Sequence, residues 1–586
     1  MSKPAKQLSS FLVAGAMAIT APAHAFFVGS DPACTHASIQ AAIDAAAANG
    51  PGLDLVFIAG NQTYSGQALS ITGHDVWLAG GYPDCSASQQ TPQQQATLDG
   101  AGNGGNPVIR VDNSGPRRGN IILQDLELAG GQLANGEGGG LRVEGNLHIN
   151  LSGVRLRANS ALRGGGLYVK GQSDTEPASM VILDSSATGN ASLIQDNQAI
   201  EGGGLYADES SSIQVASLVE NNQAVRGGGL FLNGANSSTF AYVSPDSLSG
   251  GGIRNNLASE DGGGVYMANG ASFQTDRTFP DRPAVELRGN QAGRHGGGIH
   301  AGAGTYAVLR RIIVADDQAG TLMPGNGGGL HVAMGAIVLL DGVDPGMGAG
   351  TFCAQELPCA SLSGNIAGST QHAGLGGGAY IEPGGHLNIR YADVNNNQAD
   401  DGAAVWVGGG FPGHGANLYS VLMTGNSSTG ALLAAANGAI LHIEGATLAA
   451  NQVGSLMRLD QSNAEVFGSI LHQPGNPLLT TTGASGIATQ CVVASSEFDP
   501  AGDVRVGDPM FMDASARDYR LAAGSPAIDA CTSFVSGFGN YDYALELRGV
   551  DQPGVPDDGG AYDIGAFEMP VVPDGIFSSG FESPGP

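Results

Sequence analysis

Two stretches, IEGGGLYA (residues 200–207) and VRGGGLFL (residues 225–232), carry the pattern from which the architecture follows: three glycines, then a hydrophobic-aromatic-hydrophobic trio. The pattern recurs as GEGGGLRV, LRGGGLYV, EDGGGVYM, RHGGGIHA, GNGGGLHV and LGGGAYI, ending in a degenerate DDGAAVWV. Its first glycines fall at Gly138, Gly164, Gly202, Gly227, Gly262, Gly296, Gly327 and Gly376. A short fixed core with variable connections is the signature of a solenoid. Side chains alternate along a strand, so the first and third positions of each trio share one face. The first positions are Leu141, Leu167, Leu205, Leu230, Val265, Ile299, Leu330 and Ala379; the third are Val143, Val169, Ala207, Leu232, Met267, Ala301, Val332 and Ile381. These are the expected core. The expected fold is all-β: a single-stranded right-handed parallel β-helix of roughly a dozen coils or a few more, with a short N-terminal capping helix and a C-terminal β-rich cap module.

Stacking turns each repeat position into a column of side chains about 4.8 Å apart. An Asn-x-Ala unit precedes most triplets, so Asn159, Asn197, Asn222, Asn256, Asn290, Asn365 and Asn397 form one column at a corner. Asn tolerates left-handed backbone, and its amide can bond the amide of the next coil. The residue before each first glycine gives a second column, Glu137, Arg163, Glu201, Arg226, Asp261, His295, Asn326, Leu375 and Asp401. Its first members alternate in sign, as coil-to-coil register would select. The middle of the trio gives a third column: Arg142, Tyr168, Tyr206, Phe231, Tyr266, His300, His331, Tyr380 and Trp406. This column is expected to face solvent. It reads either as ring pairs that stabilise the sheet or as a strip on which sugar rings stack.

The rest of the chain bounds the class. Its 586 residues hold 95 glycines, and 24 basic against 53 acidic side chains give a net charge of −29, which repels nucleic acid and anionic lipid. Residues 1–25 read as a signal peptide: Lys3 and Lys6, an apolar run, and Ala23-His24-Ala25, with cleavage after Ala25. No later run is long and apolar enough for a membrane helix. Six cysteines in an exported chain suggest disulfides, ranked by proximity as Cys34 with Cys85, Cys353 with Cys359, and Cys491 with Cys531, although six allow 15 connectivities. CTHASIQAAIDAAAANGPG predicts a helix capped by Thr35, burying Ile39, Ala42, Ile43 and Ala46 and stopped by Gly50-Pro51. Such a helix would cover the first coil.

These residues resemble a known family. N-x-A followed by GGG and L-Y or I-H, over about residues 120–451, resembles the repeats of polymorphic outer-membrane proteins, surface adhesins of the pectin-lyase-like β-helix class. The end of the chain, with DPMF at Asp508, SPAIDA at Ser525 and DIGAFE at Asp563, is similar to the choice-of-anchor Q module. DGIFSSGFESP from Asp574 is similar to a sorting-type tail of exported Gram-negative proteins. The implied layout is an N-terminal cap with first coils over 26–119, repeats over 120–475, the anchor-like module over 476–568 and a tail over 569–586.

Sites are less legible. β-Helix enzymes that cut acidic polysaccharides use clustered carboxylates, which makes Asp261, Asp316, Asp317, Asp400 and Asp401 the candidates, each weighed against a solvated turn. His295, His300 and His331 lie on neighbouring coils, and the acidic loop with Asp551, Asp557, Asp558 and Asp563 offers oxygen ligands for Ca²⁺, though no cofactor is required. No GxSxG, HExxH or P-loop pattern is present. The expected role is therefore a secreted or outer-membrane-displayed monomeric adhesin or glycan-binding fibre, its partner a polysaccharide or host-surface glycan. The alternative is a polysaccharide lyase or glycoside hydrolase.

Overall fold

A computed structural model describes residues 24–235, 239–244, 251–275, 284–342, 360–409, 415–533, 541–555 and 559–570. The chain winds into a parallel β-helix: two sheets of 16 strands and one of 14 run its length, and a fourth of seven strands lines one corner. Nearly all pairing is parallel and in register from rung to rung, as in Leu205 beside Leu230 and Tyr206 beside Phe231. The first and third positions of the trio point inward; Leu141, Leu205, Val265 and Ile381 are fully buried in one continuous core. At one rung per 4.8 Å, sixteen rungs extend roughly 75 Å.

The glycine triplet has a separate cause at each of its places. The first glycine takes a left-handed backbone, with φ between 60° and 70° from Gly138 to Gly402. The second and third have ordinary backbones but no room. A Cβ on Gly203 would lie 2.5 Å from the carbonyl oxygens of Gln223 and Gly228, and one on Gly204 would lie 2.8 Å from that of Gly229.

The asparagine column lies against this bare backbone. Asn222 Oδ1 accepts from the Asn197 N–H at 3.0 Å and from Asn197 Nδ2 at 3.0 Å, while Asn222 Nδ2 donates to Asn256 Oδ1 at 3.0 Å and to the Ile194 carbonyl at 2.9 Å. The same bonds repeat from Asn159 to Asn290 and again from Asn365 through Asn426 to Asn451, two members beyond the expected set. The left-handed residue is not the asparagine but the one before it: Ala158, Asp196, Asn221, Asn255, Asp316, Asn396 and Ala450 all have φ near 55°. That residue turns the chain so that the asparagine side chain points inward.

At the N-terminal end, strand Ala25–Val28 opens the first rung, and helix α1 (Ile39–Ala48) buries Ile39, Ala42, Ile43 and Ala46 against it. Its cap is Ser38, which accepts from the Ala41 N–H at 3.2 Å; Thr35 instead bonds the Phe27 backbone. Thr35 faces the first strand, too far ahead of the helix to reach its free N–H groups. The Cys34–Cys85 and Cys491–Cys531 disulfides are present, and no described cysteine is free. Cys353, Cys359 and residues 1–23 of the expected signal peptide lie outside the described residues. No helix among the described residues is long and apolar enough to cross a membrane.

Regular rungs continue to strand Val504–Val506, past the boundary at residue 475 drawn from the repeat motif. The segment after them packs on the flank of the last rungs. Tyr519, Leu521, Ile528, Tyr543 and Ile564 meet Leu422, Ala449, Ile470 and Val493 of one long sheet, so this module braces the side of the stack. Arg548, its side chain wholly buried, reaches from it to the Gly445 carbonyl of the rungs and also donates to the Gly565 carbonyl within the module.

Replacing Gly203 by Ala is expected to cost at least about 2 kcal/mol, because two backbones must part. Gly270→Ala, at a turn with φ +79° and no atom within 4 Å of the new Cβ, is expected to cost only roughly 1 kcal/mol. Thermal unfolding of both variants separates crowding from backbone strain.

Candidate functional site

The rings of the trio project outward from the 14-stranded sheet, but they are not the open strip that alternation suggested. From Tyr168 to Trp406 each ring stacks on the next, with centroids 4.6 to 5.7 Å apart and planes within 2° to 24°. Tyr168, Tyr206, Phe231, His300 and His331 are buried; Tyr266, Tyr380 and Trp406 keep only part of their surface exposed. The physical reason is the spacing itself. Strand separation in a parallel sheet is near the stacking distance of aromatic rings, so each flat face is covered by its neighbour. The stack therefore presents ring edges, not faces, to its surroundings.

The charge column roofs this stack. Arg163 and Arg226 both pair with Glu201, and their guanidinium groups lie 5.6 Å from the ring centres of Tyr206 and Tyr266. Arg142 closes one end of the column, 6.0 Å from the Tyr168 ring. Beyond Trp406 the column continues as Ala434 and then Arg458. Burial, followed by the nearby Asp208 carboxylate, raises the Tyr168 phenol, which donates to Asp208 Oδ2 at 2.7 Å.

His295, His300 and His331 do meet, through ring stacking at 4.7 Å. Parallel rings direct their nitrogen lone pairs side by side, so they do not converge on one ion. No group of three or more metal-ligating side chains occurs among the described residues. Burial pushes His300 down to about 4 and His331 well below its ordinary value, so both are neutral members of the stack.

The carboxylates proposed for acid–base chemistry are occupied by the fold. Asp261 pairs with Arg294 and accepts the His295 N–H at 3.0 Å; burial opposes its charge, yet Arg294 holds its carboxyl below the usual range. Asp316 sits at the left-handed corner position, exposed and paired with Arg288. Asp400 accepts from the Gly374 N–H at 2.9 Å, and Asp401 accepts from the Ala431 N–H at 2.8 Å while pairing with Arg458. In the acidic loop, Asp563 is buried with its two oxygens bonded to the Asp529 and Met569 N–H groups, and burial pushes it up to about 6. Asp551 is exposed, and Asp557 and Asp558 lie outside the described residues.

Asp317 is the surprise among these. It is fully buried and takes the place of an asparagine in the corner column: its Oδ1 accepts the Asn290 N–H at 2.7 Å and Asn290 Nδ2 at 2.9 Å, and its own N–H donates to Asn365 Oδ1 at 3.1 Å. Its Oδ2, where every neighbouring rung has an amide donor, is without a partner. Burial holds its carboxyl well above the usual range. The protonated acid is thus the nearest equivalent of the missing amide. The repeat that has no corner asparagine is one rung in which an aspartate takes its place.

The motif reading passed over the glutamines that fill the x of N-x-A, such as Gln198, Gln223 and Gln291, which stand exposed in a column of their own. The signal was present in the repetition of the residue type. No protein-family model matches the chain, and no curated protein resembles it significantly.

Two pH dependences of opposite sign are expected. The unfolded chain protonates histidine near 6.5 while folded His300 stays neutral to about 4, so stability falls as pH drops through that window; His300→Phe is expected to flatten the fall in thermal melts. Asp317 ionises near 3.9 when unfolded but holds its proton higher when folded, so its cost grows as pH rises above that value. Asp317→Asn is therefore expected to stabilise by about 1–3 kcal/mol at pH 7 and by much less at pH 3.

Proposed function

We propose that this protein is a secreted or surface-displayed, non-enzymatic binding fibre that engages polysaccharide. One observation carries the reading: a single stack of sixteen rungs repeats each surface feature at a fixed interval, which matches a partner that is itself a repeating polymer. The pairing of Asp261, Asp316 and Asp401 with arginines supports a binding role over a lyase or hydrolase, since a general acid needs a carboxyl raised toward neutrality. The flank-packed C-terminal module suits attachment at an outer-membrane surface, as its likeness to the choice-of-anchor Q module implies. In this reading the ring column from Tyr168 to Trp406 supplies stiffness, with the partly exposed edges of Tyr266, Tyr380 and Trp406 as secondary contacts. The resemblance to pectin-lyase-like repeats concerns this same scaffold, which carries binders and enzymes alike.

Incubating the protein with neutral and uronate polysaccharides, with and without Ca²⁺, tests the reading. Retention on a polymer without new reducing ends or unsaturated products is expected. Product formation that Asp401→Asn abolishes would instead establish the enzyme.

A further inference from the structure

The seven-stranded sheet at the corner lies flat between the amide column and the charge column, and two lines of exposed side chains run along it. One follows the second residue of the N-x-A unit: Gln198, Gln223, Leu257 and Gln291 are paired in direct register from rung to rung and exposed. The other is short: two residues further along, on the same face, Leu162 at 37% and Ile200 at 48% exposure form an apolar pair beside the first glutamine, which gives way to half-buried Val225 and then to Ser259. The alanine between the lines, as at Ala199 and Ala224, turns inward and is buried. None of these face residues is charged, although the chain as a whole carries −29. An uncharged line of amides with an apolar pair at one end is therefore the exception on this surface.

We propose that this face is the docking track for a linear, neutral, hydroxyl-rich polysaccharide lying parallel to the solenoid axis. The inference rests on the glycan-binding reading above and names its site and substrate class. Amides donate and accept, so each glutamine can bond a pair of sugar hydroxyls, while Leu162 and Ile200 at one end of the line meet the C–H face of a pyranose ring. Rungs recur about every 4.8 Å. A chain of equatorially linked pyranoses advances by a little more than that per residue, so successive sugars meet Gln198 and Gln223 on adjacent rungs and, past Leu257, Gln291. Charge selects among polymers: a polyuronate approaching an acidic protein is repelled, and the bordering Arg163 and Arg226 are already paired with Glu201. A neutral chain meets no such obstacle.

Affinity electrophoresis of the full chain in gels containing hydroxyethylcellulose, galactomannan or polygalacturonate tests the track. A neutral polymer is expected to retard the protein, polygalacturonate much less. Gln198→Ala, Gln223→Ala and Gln291→Ala are each expected to weaken retardation about fivefold, the size of one net hydrogen bond. These exposed positions leave the core untouched, and unchanged melting temperatures verify that. Retardation by polygalacturonate above the neutral polymers, or retardation lost in Trp406→Ala and kept in the glutamine variants, overturns the track and leaves glycan binding intact. Retardation by none of the three removes both. Sedimentation that shows copies associating through this face, reversed by Ile200→Ser, would assign the band to self-assembly and overturn the proposal.

Discussion

Close approach of successive backbones at one corner is the constraint on which this protein depends. There the second and third glycines of each triplet touch the carbonyls of the next rung, and the asparagine amides fill the remaining space and satisfy the turn. Neither half works alone. A side chain on the glycines would push the rungs apart and break the amide bonds; loss of the amides would leave buried N–H and C=O groups without partners. The recurrence of three glycines and an asparagine, through connections of very different length, reflects this single packing requirement.

Everything on the outside inherits the same spacing. The rings of the 14-stranded sheet fall at stacking distance because the rungs do, and arginines of the charge column lie against them while pairing with Glu201. His300 and His331 belong to that stack for the same reason, and burial keeps them neutral. A column that alternation places on the solvent side thus becomes a second, external layer of buried contacts.

Much of the fold was legible because stacking rewards identity: inward Leu205 and Leu230, the asparagine column and the helix face of Ile39 and Ile43 all follow from periodicity. What escaped lies where one residue type takes another's place or where tilt decides exposure. Asp317 reads as half of an acidic pair unless it is recognised as an asparagine's substitute, since side-chain chemistry and column membership point different ways. The left-handed corner precedes the asparagine by one residue, and a preference for left-handed backbone fits both neighbours in Asn221-Asn222. Period-two alternation assigns Tyr206 to the outer face but says nothing of the ring above it. Gln198 and Gln223 were hidden by being the variable letter of a motif.

The two disulfides found lie near opposite ends of the stack, Cys34–Cys85 among the first strands and Cys491–Cys531 between the last rungs and the flank module. In a quasi-one-dimensional assembly an interior rung has two neighbours and a terminal rung only one, so melting advances inward from the termini. Covalent staples at those two places hold the fraying ends, and the long middle, which has no described staple, is protected by its own interior position. Resistance to proteases would then be governed by the ends of the rod rather than by its length.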